Sequence, residues 1–359
     1  MQCRHVTGRC WRQPVKLGDT GDGVVSSRLV RGWAYLGLAT WILENASLRV
    51  TVVPELGGKI LELVDKIADR DLLWHSPRTP PRRAPFGAWF DDWWCGGWDE
   101  IFPTGDTARL HNERLPYMGE LWSVPWTAVE EDAGHEARAI TTVGLGTIAP
   151  ARLERRLELR GDDPVLRVQY RLTNLDRRPL PFVWGIHPGL AVSDKHRIDL
   201  PASDMLVGLA SDVSLGGRGE AYTWPFLPDP SSPDGRRDMR LVRGADALVF
   251  GGHWATKLRD GWLALTDTAT GRGLAITFPL DVFPVAWLWL VYGGWRGYYH
   301  VALEPWTGHP MQLEDAMAAG TARTLGPGEE LTADVAFIVY GGQTSVQSVA
   351  QTGEAFVVR

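Results

Sequence analysis

Apolar and polar residues alternate one for one along much of this chain. Leu48, Val50 and Val52 alternate with Ser47, Arg49 and Thr51; Leu166, Val168, Tyr170 and Leu172 alternate with Arg167, Gln169 and Arg171. Leu331, Ala333, Val335, Phe337 and Val339 do the same with Thr332, Asp334 and Ala336. A period of two puts one set of side chains on each side of a pleated strand, so these runs predict antiparallel strands with one face buried. Apolar and β-branched runs add strands over 121–130, 137–143, 153–159, 180–186, 262–266, 273–278 and 285–292. Gly-Gly pairs between them, such as 57–58, 96–97, 251–252 and 293–294, suit tight turns or bulges. Helical periodicity is confined to a short turn over 313–319. So many strands without intervening long helices predict an all-β fold, a large antiparallel sandwich or barrel, and exclude a doubly wound α/β sheet.

The pattern divides the chain into residues 1–25, a leader or wrap without periodicity, a β domain over 26–345, and an extension over 346–359. Two proline-rich stretches, 78–85 and 216–238, read as loops that lie over the rim of a site or make ordinary surface excursions. Strands of the same type resume after each, so neither is an interdomain linker.

Composition narrows the function classes. With 37 basic and 43 acidic residues, a net charge of −6, nucleic acid is not the natural partner. Cys3, Cys10 and Cys95 lack CxxC spacing and predict neither a disulfide frame nor a zinc knuckle. The N-terminal residues lack the apolar core of a signal peptide, and the apolar run 282–292 is too short to span a bilayer. These features predict a soluble cytoplasmic protein with a small-molecule partner and no membrane association. The chain also has 18 Trp. Each brings a large apolar face and one N–H donor, useful in a core and equally useful against the C–H face of a sugar.

Three stretches carry candidate chemistry. In Tyr299-His300-Val301-Ala302-Leu303-Glu304-Pro305-Trp306, Val301 and Leu303 point one way while His300, Ala302 and Glu304 point the other. Pro305 is expected to end the ladder, leaving Glu304 at a strand end beside Trp306. This is either a solvated terminus or a functional carboxylate. In Phe182-Val183-Trp184-Gly185-Ile186-His187-Pro188, His187 opposes Ile186 and Trp184 in facing, and Pro188 is expected to end that strand in the same way. Trp93-Trp94-Cys95-Gly96-Gly97-Trp98-Asp99-Glu100-Ile101-Phe102-Pro103-Thr104-Gly105-Asp106 places tryptophans around a Gly-Gly turn followed by carboxylates, as an aromatic wall or a structural corner. His187, His300, His309 and Glu304 are metal-ligand types, but no HxH or HExxH spacing supports a metal. There is no GxSxG elbow, P-loop or dinucleotide fingerprint.

Leu48 to Ile60 (LRVTVVPELGGKI), Gly97-Trp98-Asp99-Glu100, Met118-Gly119-Glu120-Leu121-Trp122, Gly185-Ile186-His187-Pro188, Val301-Ala302-Leu303-Glu304-Pro305 and Leu325-Gly326-Pro327-Gly328-Glu329 together resemble the aldose 1-epimerase (galactose mutarotase-like) superfamily. The resemblance spans residues 40 to 342. It implies a β-supersandwich with an open carbohydrate cleft on one sheet, Glu304 as catalytic base and His187 as catalytic acid. No redox cofactor or metal is needed, because opening and closing a sugar ring moves protons only. The pair is expected on opposite sides of a pyranose-sized hollow, with Glu304 ionised and His187 protonated. Many relatives carry a histidine where this chain has Met118, and His111 is the nearby candidate substitute. Asp99 and Glu120 are candidates for a further sugar-binding carboxylate. Trp98, Trp306 and the Trp295-Arg296 corner are expected to stack and hydrogen-bond, with Arg296 available to an anionic substituent. A carbohydrate-binding protein without turnover is the alternative that Met118 raises.

Overall fold

The computed structural model describes residues 27–134, 136–353 and 355–359; the expected leader over 1–25, with Cys3 and Cys10, lies outside the described residues. The alternating runs form antiparallel strands. Fourteen described strands make one sheet and eight make a second. Ala137–Leu145, Ala151–Arg160, Val165–Asn174 and Glu330–Tyr340 are consecutive neighbours in the second sheet. Leu153, Leu157, Val168, Leu172, Val335 and Phe337 turn from it into a core shared with Val50, Leu63, Trp98, Ile186 and Leu303 of the first. Burial of this apolar surface from both inner faces is the main stabilising term.

The middle of the large sheet runs Lys59–Asp65, Trp98–Ile101, Gly185–Leu190, Tyr299–Trp306, Val285–Tyr292, Val249–Leu258 and Ala202–Ala210. Its other face carries a second apolar cluster, dominated by Trp74, Trp94, Trp122, Trp254, Trp287 and Trp306. Glycines make room for these rings against the sheet. A Cβ on Gly252 would lie 1.8 Å from the Trp287 ring, one on Gly185 2.3 Å from Trp306, and one on Gly189 2.7 Å from Trp94.

Several local expectations are corrected. The run 121–130 is not one strand: 121–123 is a turn, Pro125 follows, and pairing starts only at Thr127–Glu131. The Trp126 indole donates to the Leu121 carbonyl at 3.0 Å, folding the segment back on itself. The run 180–186 splits into Leu180–Phe182, which pairs with Arg323–Leu325, and Gly185–Leu190, which joins the large sheet. The proline-rich 216–238 loop contains three short strands, Ala221–Thr223, Phe226–Pro228 and Arg236–Asp238, that extend the large sheet. The final residues, where no pattern was legible, pair as Val349–Thr352 with Ala355–Val358. The short helix over Leu313–Ala318 is as expected, and none of the described helices is long and apolar enough to cross a membrane.

Neither Pro188 nor Pro305 ends its strand. Pro188 pairs outward with Trp98, and Pro305 pairs outward with Ala286. What the prolines interrupt is the ladder between their own two strands. That ladder holds at Gly185 with Trp306 and at Gly189 with Ala302, and skips the positions between. Two of the three skipped pairs contain a proline, which has no N–H to give.

Candidate active site

The register of the flanking pairs sets His187 directly across from Glu304, in the interval where the two strands do not bond. The same row continues outward to Asp99 on one side and to Trp287 and then Trp254 on the other. Successive strands therefore line up an acid, an imidazole, an acid and two indoles on the cleft face. His187 Nε2 lies 3.7 Å from Glu304 Oε1. This is too long for a direct hydrogen bond, and the two groups stand side by side, not on opposite sides of a hollow as expected. Both line a cavity of about 460 Å³ walled by Phe90, Trp94, Tyr117, Trp254, Trp289 and Trp306, among others.

Glu304 and His187 are almost fully buried. Glu304 accepts a hydrogen bond from the Trp306 indole at 3.0 Å. Burial outweighs that bond and pushes the Glu304 carboxyl well above the usual carboxylate range. Burial, helped by the nearby Lys59 charge, pulls the His187 imidazole down to about 3. Both shifts run against the expected ionised Glu304 and protonated His187: burial favours the protonated carboxyl and the unprotonated imidazole.

The other predicted residues separate into groups. Trp306 belongs with Glu304 in the cleft. Trp98 does not: it lies on the opposite face, fully buried, stacked on Phe337 at 4.0 Å. Its neighbour Asp99 has the cleft-side facing but sits beneath Trp94, accepting from that indole at 3.1 Å and from Lys59. It thereby holds the Trp94 ring edge-on to His187, at 5.3 Å between centroids. Glu120 is corrected outright as a sugar ligand. Its carboxylate is buried and taken up by the backbone N–H groups of Thr147, Ile148 and Ala149 at 2.8 to 2.9 Å, so it serves to clamp a loop. His111 lies beside Asp176 at 3.9 Å, in the turn between Ala108–Leu110 and Glu113–Leu115, and does not line the cleft. The expected substitution of His111 for a cleft histidine is therefore corrected. Met118 itself lines the cavity. Its backbone is left-handed, as is that of Gly119, where a Cβ would strike the Phe102 carbonyl at 2.2 Å. Arg296 is committed elsewhere: its guanidinium donates to the Asp91 carbonyl at 2.7 Å and to Asp92 at 2.8 Å.

Sequence reasoning missed Asp91, Tyr117, Trp254, Trp287 and Trp289 as cleft residues; Asp106, the end of the stretch that began at Trp93, does line the cleft. For Trp287 and Trp289 a signal existed, since alternation along Val285–Tyr292 puts both on one face and Gly252 stands opposite on the neighbouring strand. The metal-type residues do not gather: among the described residues no three His, Cys, Asp or Glu side chains are grouped so as to hold a metal ion.

No protein-family model matches the sequence. Solved structures share its architecture at low identity. A candidate aldose 1-epimerase from Klebsiella pneumoniae superposes with a TM-score of 0.67 at 14% identity, covering 84% of this chain and 79% of its own. The Slr1438 protein from Synechocystis gives 0.62 at 18% identity, covering 90% and 100%. A galactose mutarotase-like protein from Clostridium acetobutylicum gives 0.61 at 14%, covering 88% and 99%. The chain has the galactose mutarotase-like β-sandwich fold.

Proposed function

We propose that this protein interconverts the anomers of an aldose by acid–base opening and closure of the sugar ring at the Glu304–His187 pair. The observation that carries the reading is the cross-strand placement of a carboxyl and an imidazole 3.7 Å apart in an aromatic cavity. The hydroxyl O1 and the ring oxygen of an aldose are both bonded to C1. Two adjacent groups therefore suit them better than two opposed ones.

The cycle balances with the single proton the pair holds. On opening, His187 Nε2 takes the O1 proton, the bond from C1 to the ring oxygen breaks, and that oxygen takes the Glu304 proton as the C1 carbonyl forms. After the aldehyde turns, the ring hydroxyl attacks C1 from the other face. Glu304, now a carboxylate, removes its proton, and the His187 imidazolium returns one to O1. Each residue acts once as base and once as acid, and each transfer is worth on the order of a hundredfold in rate. The indoles of Trp306 and Trp254 offer faces for the sugar's C–H surface.

Met118 favours a second reading, a carbohydrate-binding protein without turnover, because it lines the cavity at the position where the family resemblance implies a histidine. Exchange NMR on freshly dissolved aldoses separates the two. Acceleration of anomer exchange supports the epimerase reading; saturable binding with the uncatalysed exchange rate supports the binding protein.

A further inference from the structure

The charge of the cleft is as specific as its aromaticity. Three carboxylates line it, Asp91, Asp106 and Asp315, besides Glu304. Arg218 is the one Lys or Arg among the lining residues, and the Arg296 guanidinium nearby donates to the Asp91 backbone carbonyl and to the Asp92 carboxylate. Burial first, and then the charges of Asp91 and Asp106, oppose ionisation of the Tyr117 hydroxyl, with Arg296 acting the other way. The walls add ring faces and edges. Trp254 and Trp287 lie 4.8 Å apart, and Trp289 meets Phe250 and Trp295 edge-on at 5.7 and 5.8 Å. Within the same cavity, His187 is more than nine-tenths buried and its Nδ1 has no hydrogen-bond partner from another residue. The site thus offers negative ring faces and carboxylates, beside a buried imidazole whose Nδ1 has no partner among the described residues.

We infer that the sugar this cleft takes carries a protonated amine, as an amino-aldose does, and that phosphorylated and uronic sugars are disfavoured. The inference rests on the proposed reading for the cleft being a sugar site and adds the class of sugar. An ammonium group gains from indole faces and from carboxylates together. A phosphate would shed water on entering and meet one guanidinium against three carboxylates. The expectation that Arg296 receives an anionic substituent is reversed on these grounds.

Tryptophan-fluorescence titration with D-glucosamine, D-glucose and D-glucose 6-phosphate at low salt tests the order of affinity. The amine is expected to bind about tenfold more tightly than glucose, with the phosphate ester weakest. A D106N/D315N double variant should cut the amine-to-glucose ratio about threefold to tenfold. As a second measurement that needs no variant, the wild-type titration is repeated near pH 9.5, where the amine is largely neutral and the preference should collapse. Equal affinity for amine and glucose, tighter binding of the phosphate, a preference that survives deprotonation, or no binding of any of the three overturns the inference. Anomer exchange followed in the same samples reports on the proposed function separately: an amine preference in binding without exchange removes the epimerase reading and leaves this one standing.

Discussion

At the scale of single residues, the decisive feature is that burial sets the charge of both members of the pair. His187 is neutral across the ordinary imidazole range because its folded value lies near 3. The His187 imidazole, followed by NMR, should therefore pass through pH 6.5 without titrating and take up its proton only as the pH approaches 3. A titration midpoint near 6.5 for that ring would mean a solvated imidazole. Trp306 acts through Glu304: its N–H is the hydrogen bond that the carboxyl accepts. Trp306→Phe should push Glu304 further toward the protonated form and slow exchange about tenfold, with the sugar's KM changing less than kcat. At this scale the sequence was informative about His187, Glu304 and Trp306, each of which follows a simple facing argument. It misled for Trp98, because facing alone does not say which side of a strand is the core, and for Glu120, whose partners are backbone groups 27 to 29 residues away.

At the scale of elements, the site is a gap in a ladder. The two prolines remove donors where Gly185–Leu190 and Tyr299–Trp306 would otherwise bond, while the outer partners of both strands keep their registers. The sequence showed both prolines, but the expectation of two strand ends treated each alone; only their shared register makes them one interruption. The aromatic floor has a similar logic of pairs, indole against glycine. Gly252→Ala would place a methyl inside the Trp287 ring, and overpacking of this kind costs about 1 to 3 kcal/mol. Urea unfolding should show a lowered midpoint with the slope unchanged. An unaltered midpoint would show that Trp287 moves freely and is not held by the sheet.

At the scale of the whole molecule, the fold separates two apolar clusters by the thickness of one sheet: the largely aliphatic inter-sheet core on one side and the tryptophan-rich cleft on the other. Alternation made the fold class legible, since it reports half-buried strands directly. The strand order was not legible, because the partners meet across long sequence separations. Buried imidazoles tie the stability of this arrangement to pH. His300, packed by Trp74 at 4.5 Å and Trp94 at 5.0 Å, is pulled down to about 3 by burial, with His187 adding to the effect. A histidine neutral when folded and protonated when unfolded lends stability above pH 6.5 that is lost as the pH falls toward 3. Against His300→Phe, the wild-type chain should lose up to about 1.4 kcal/mol more per pH unit between roughly pH 6 and 4. Parallel stability curves for the two proteins would contradict the buried neutral assignment.

The central claim is that Glu304 and His187 pass one proton between themselves and the sugar. It is tested most directly by exchange NMR on Glu304→Gln and His187→Asn at sugar concentrations fixed by their measured affinities. The account predicts loss of catalysed anomer exchange in both, with affinity held within about tenfold of the wild type. Exchange at the wild-type rate in either variant would contradict it.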